Sequence, residues 1–178
     1  MTEKLCLILN VMLIIGCATS PSWVSHPAIQ ITDKAAFKVQ LEPLARDKNY
    51  FVAFRLTVFN KTAKPLAIDW NKTRYVHNDR NNGGFVFKGI DPQLMKKAAL
   101  PVEIIPAGET LTKELIPYKL LARGPIRDKK SKVGWHGIIP GIIPAGQNGV
   151  RLVMRCDDQA VRFKINVTMK KGVHPDVG

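Results

Sequence analysis

Cysteine and histidine are the side chains here most able to ligate a metal or attack a substrate, and their spacing points to neither. His26, His77, His136 and His174 stand far apart, with no His-x-x-x-His pair and no companion cysteine cluster, so the zinc patterns are missing. No Gly-x-Ser-x-Gly elbow and no phosphate-cradling glycine loop occurs. Cys156 falls in phase with apolar neighbours of a strand pattern, which marks a core thiol rather than a nucleophile. The expectation is a chain with no catalytic residues, no metal and no cofactor.

Two stretches carry residue types suited to binding. Asp69, Trp70, Arg74, Tyr75, His77, Asp79 and Arg80 fall within a dozen residues. Trp, Tyr and Arg dominate interface hot spots, so Asp69, Trp70, Arg74, Tyr75, His77 and Arg80 are candidate contacts for a partner. The competing reading makes Trp70 and Tyr75 core aromatics of an irregular strand, with Asp69 and Asn71 bonding local backbone. The second stretch is the basic loop Arg123, Arg127, Lys129, Lys130 and Lys132, followed by Trp135 and His136. A cationic loop beside an aromatic suits an anionic polymer; its plainer reading is a solvated loop.

The remaining cysteines belong to the N-terminus. Leu5 to Ile15 is apolar except at Asn10, and Gly16 and Cys17 follow. That run is shorter than the ~18 to 20 residues of a lasting bilayer span, so it reads as a cleaved signal with a weak positive flank at Lys4. Ile14-Ile15-Gly16-Cys17 resembles a bacterial lipobox. The resemblance implies a lipoprotein precursor in which the Cys17 thiol receives diacylglycerol, residues 1–16 are removed, and the new amine is acylated. Ala18 rather than Asp after the cysteine implies, for a Gram-negative host, onward transport to the outer membrane facing the periplasm.

The net charge of +13 survives this processing, because Glu3 and Lys4 leave together. Such a surface attracts anions. An exported chain meets peptidoglycan and lipopolysaccharide rather than nucleic acid. Scattered lysines that only keep the domain soluble are the bland alternative.

Positioning any of these groups falls to strands. Phe37, Val39 and Leu41 alternate with polar residues up to Pro43, which is expected to end the run. After a polar turn, Val52, Phe54, Leu56 and Val58 are expected to point inward. Phe85 to Phe87 reads as a short strand, and Asp91-Pro92 starts a brief helix that reaches about Ala99. Ile104-Ile105-Pro106-Ala107-Gly108 returns as Ile142-Ile143-Pro144-Ala145-Gly146, each a turn leading into a strand. Residues 150–156 and 163–169 alternate as a terminal hairpin. The whole reads as a mostly β chain, an immunoglobulin-like antiparallel β-sandwich with one short helix and roughly seven to eight strands, or a small barrel. The mature part thus resembles an immunoglobulin-like periplasmic domain. The expected divisions are a signal over 1–16, a lipidated tether over 17–33, the sandwich over 34–172 and a flexible tail over 173–178. The functional expectation is a membrane-anchored envelope lipoprotein, not an enzyme, that binds an envelope protein as an accessory or assembly factor; the alternative is binding of anionic polymer.

Overall fold

The structure, a computed structural model, describes residues 22–46, 49–88, 99–123, 138–156 and 159–172. Cys17, residues 92–98 of the helix expected to reach about Ala99, Arg127, Lys129, Lys130, Lys132, Trp135 and the 173–178 tail lie outside these residues. What is described is mostly β, with antiparallel pairing throughout. Among the described residues the one helical element is a single 3-10 turn, Tyr118–Leu120.

The expected first hairpin is present as β3 (Phe37–Arg46) and β4 (Tyr50–Asn60). Pro43 does not end β3. The strand β2 (Gln30–Asp33) pairs with β3 only from Lys38 to Leu41, so at Pro43 that side of the ladder asks for no N–H, and a proline fits. Pairing shifts between Leu44 and Ala45, which face Ala53 and Phe51 and leave Val52 without an opposite residue. One extra residue reverses the phase of the strand. Phe51 therefore packs on the main core, whereas Val52, expected to point there, joins a small cluster with Ala53, Val86 and Ile116.

With β10 (Thr110–Pro117) and β8 (Phe85–Phe87) these strands make a five-stranded sheet in the order β2-β3-β4-β10-β8. The second sheet is built on the long terminal hairpin, β13 (Gly146–Cys156) and β14 (Gln159–Gly172). Added to it are β1 (Ser22–His26), β5 (Leu66–Ile68) and β9 (Glu103–Ile105), in the order β1-β14-β13-β5-β9. The short β6 (Arg74–His77) pairs with the N-terminal half of β13, and β7 (Arg80–Asn81) pairs with β6. A separate ladder of β11 (Leu121–Arg123) and β12 (Ile138–Pro140) sets Arg123 opposite Ile138.

Residues 22–33, expected to be a tether, fold as β1 and β2, the outer strands of the two sheets. Their lack of apolar periodicity hid them, because an outer strand buries little. Trp23 packs on the core from this edge, with the Lys171 ammonium 6.0 Å from its ring centre.

Both sheets contribute to one apolar cluster: Val39, Leu41, Phe54, Leu56 and Leu115 from one, and Leu66, Ile68, Tyr75, Val150, Leu152, Met154, Ile165 and Val167 from the other. Removing this area from water is the main stabilising contribution. Cys156 keeps the expected phase but, at the strand end, is half-buried against the cluster.

The repeated turns are alike in structure. Ile105 and Ile143 are buried while Ile104 and Ile142 are exposed, and Gly108 and Gly146 both have positive φ. A buried asparagine braces each turn. The Asn60 amide donates to the carbonyls of Ile105 and Pro106, and that of Asn148 to the carbonyls of Pro144 and Gly146.

Candidate functional site

The register of the seven-stranded sheet decides what its outward face presents. Opposite residues of an antiparallel pair share a face, and Val150 lies opposite Tyr75 and Ile165, all three buried. One position along, Arg151 lies opposite Arg74 on one side and Lys164 on the other. A row of three cations, Arg74-Arg151-Lys164, thus crosses β6, β13 and β14 on the face turned from the core. Arg162 follows two residues from Lys164, Arg155 shares the phase of Arg151, and Lys170 lies farther along β14 opposite Val24. Neighbouring strands are about 4.8 Å apart, and alternate residues along a strand about 6.7 Å apart, so these charges form a dense flat grid.

Two carboxylates temper it. Lys164 pairs with Asp79. Arg155 lies 3.4 Å from the buried Asp69 carboxylate, which also draws Lys72 at 3.4 Å. Arg151 donates to Asn81 Oδ1 at 2.7 Å, and Arg74 to the carbonyls of Asn71 and Thr73 at 2.6 and 2.9 Å. These neutral acceptors hold the guanidinium groups in place without cancelling their charge.

Like charges set directly opposite one another destabilise a sheet. The five-stranded sheet avoids this: across β3, β4 and β10 the corresponding outward row is Glu42-Arg55-Glu114. Arg55 donates to Glu42 at 2.8 Å, and Lys88 pairs with Glu114 at 3.0 Å. One sheet of this domain alternates sign, and the other stacks cations.

The candidate contacts of the Asp69 to Arg80 stretch are divided by this geometry. Trp70 is buried, meets Phe87 edge-on at 4.9 Å and donates Nε1–H to Glu103 Oε2 at 2.8 Å. Tyr75 is fully buried, and burial raises its phenol well above the usual range. Its hydroxyl donates to Asn148 Oδ1 at 2.5 Å. His77 turns to the same inner side, with Nδ1 3.0 Å from Asn148 Oδ1. That oxygen can only accept, so His77 Nδ1 carries the proton and Nε2 accepts from the Asn78 amide at 3.2 Å. Arg80 is exposed but lies opposite His77, away from the basic row. Of the six candidates Arg74 alone lies in the outward row, and Asp69 is buried beneath Arg155. Asn71 bonds the backbone of Leu100 in both directions rather than its own neighbours.

The sequence expectation missed Arg151, Arg155, Arg162 and Lys164 as site residues. Their signal was visible as the polar phase of two strands, but only the pairing with Arg74 shows that it forms a row. Of the basic loop, Arg123 is described at its backbone, as the last residue of β11. Among the described residues, no group of three or more His, Cys, Asp or Glu could hold a metal, and no helix is long and apolar enough to cross a membrane.

No protein-family model matches the chain, and comparison with curated proteins and with solved structures gives no match.

Proposed function

We propose that this is a lipid-anchored bacterial envelope protein whose β domain is a non-catalytic binding module for an anionic partner. The anchor reading rests on Ile14-Ile15-Gly16-Cys17 after an apolar run. Cys17 would carry the diacylglycerol, and a second acyl signal gives stable attachment where one chain is marginal. In this reading the outer membrane holds the protein on its periplasmic side. The two sheets sharing one core support an immunoglobulin-like sandwich.

The observation that carries the binding reading is the row Arg74-Arg151-Lys164. A protein gains nothing in stability from stacked cations, so the face favours an acceptor of negative charge. This moves anionic envelope polymer, lipopolysaccharide or peptidoglycan, ahead of the accessory role on an envelope protein. A protein partner remains the second reading, supported by Arg74 of the expected contact stretch lying in the basic row, and it requires an acidic surface on that partner.

Two measurements test the proposal. Labelled palmitate is expected on the wild-type protein and not on Cys17→Ala; label on the variant removes the anchor. The double substitution Arg151→Gln with Lys164→Gln is expected to weaken binding to purified lipopolysaccharide or sacculi at least tenfold, while Arg55→Gln on the other sheet leaves it unchanged. Equal binding by all three proteins ends the polymer reading. A co-purifying envelope protein lost only from the double variant gives the face to a protein partner.

A further inference from the structure

Both outer strands on one side of the domain come from a single N-terminal segment. The strand β1 borders the seven-stranded sheet, β2 borders the five-stranded sheet, and residues 27–29 link them. Outer strands leave N–H and C=O groups without ladder partners, and soluble domains usually guard them with charge. Here the segment instead exposes apolar side chains: Val24 is 40% exposed, Ile29 42% and Ile31 48%. Lysines flank them. Lys170 lies opposite Val24, Lys171 sits over Trp23, and Lys38, which faces Asp33 two residues on from Ile31, is exposed, as is Lys34 after the end of β2. The Asp33 carboxylate at this edge is taken by Lys61. Val24 with Lys170 lies on the outward flank of one sheet and Ile31 with Lys38 on that of the other, so the edge carries apolar side chains and lysines on both flanks, the composition of a margin that dips into the headgroup layer of an anionic bilayer.

Chain length selects the bilayer over other occupants. Cys17 is five residues before Ser22, the first residue of β1, and five residues reach at most about 18 Å. A domain of about 150 residues has a radius of gyration of roughly 15 Å. An acyl anchor at Cys17 therefore holds the start of β1 within less than one domain width of the headgroups.

We propose that the β1–β2 edge, through Val24, Ile29 and Ile31 with Lys34, Lys38, Lys170 and Lys171 around them, rests on the bilayer that holds the Cys17 lipid. The proposal rests on the anchor reading. Edge-on seating takes up only the β1 margin of the seven-stranded sheet's outward face, Val24 and Lys170, and leaves Arg74, Arg151 and Lys164 free for a ligand.

The test uses lipidated protein reconstituted in vesicles of phosphatidylethanolamine and phosphatidylglycerol. One fluorophore is attached at Ile31→Cys or, as control, at Ile104→Cys, both with Cys156→Ser. Ile104 is an equally apolar exposed residue, 57% exposed, on β9 at the opposite edge of the sheet order. At position 31 quenching by aqueous iodide is expected to fall severalfold relative to position 104, with quenching by a lipid-borne nitroxide rising in the same sense. Equal quenching at the two positions, or shielding at 104, overturns the seating; if the protein stays with the vesicles, the anchor survives that result. Protein that carries no palmitate and leaves the vesicles removes both. Shielding at 31 that grows with protein concentration and persists without vesicles gives the edge to a second copy and overturns the proposal.

Discussion

Asn148 shows how completely one buried side chain can be used. Its oxygen accepts from Tyr75 and His77, and its amide donates to Pro144 and Gly146. The four bonds tie β6 to the turn that opens β13, which sets the register bringing Arg74 opposite Arg151. Tyr75→Phe removes one donor while leaving His77 in place, so the loss is expected to be about 1 kcal/mol at neutral pH. The sign of its pH dependence follows from the phenol. Burial raises the native Tyr75 above its ordinary value, so above pH ~10 the unfolded chain releases a proton that the folded chain keeps. Stability from a raised group is complete below the unfolded value and is lost as pH climbs towards the folded one. Urea melts are expected to show the wild-type advantage over Tyr75→Phe intact at pH 7 and shrinking above pH ~10. A constant difference would mean that the phenol ionises alike in both states.

For the strands, the basic row makes stability and binding pull in opposite directions. Replacing the central cation by a carboxylate, Arg151→Glu, turns Arg74-Arg151-Lys164 into a row of alternating sign like Glu42-Arg55-Glu114. Cross-strand pairs of opposite charge contribute roughly 0.2 to 1 kcal/mol. Arg151→Glu is therefore expected to raise the urea midpoint slightly while abolishing anion binding, and a drop in both would show that Arg151 supports the fold instead. The origin of the row also explains what could be read beforehand. Long strands with one wet face announce themselves by alternation, and β3, β4, β13 and β14 were legible that way, as were the turns around Gly108 and Gly146. The outer strands β1 and β2 were not, because with so little to bury they lack apolar periodicity. The bulge at Val52 was equally hidden, since it depends on β3 opposite and not on the sequence of β4. Trp70, Tyr75 and Arg80 looked like one cluster because they are close in sequence. In the sheet, alternation sends Arg74 outward, while Trp70 and Tyr75 are buried in the core and Arg80, in phase with His77, is exposed away from the basic row. The tight turn Asn78-Asp79, both at positive φ, folds β7 back on β6 and lets Asn81 reach Arg151. Arg74 and Arg151 are far apart in sequence and adjacent in space, so no local pattern could join them.

Across the whole molecule, the charge of +13 is distributed unequally: one sheet neutralises its outward row, and the other gathers Arg74, Arg151, Arg155, Arg162, Lys164 and Lys170. The consequence is a particular dependence on salt. Screening lengths are about 8 Å at physiological ionic strength and about 3 Å at 1 M. The strands that carry the row are about 4.8 Å apart, so its cations act on an anionic partner together under the first condition and are screened under the second. Binding to a polyanion is expected to weaken steeply with added salt, and the slope to flatten when Arg151 and Lys164 become Gln, because fewer counterions are exchanged. Arg55→Gln removes one charge, against two in the double variant, from a site already matched by Glu42 and Glu114, and should leave the slope unchanged. Binding isotherms over a salt series for the three proteins separate a local face from net charge alone. If Arg55→Gln flattens the slope as much per charge removed as the Arg151 and Lys164 changes do, attraction comes from the +13 as a whole and the row has no special role.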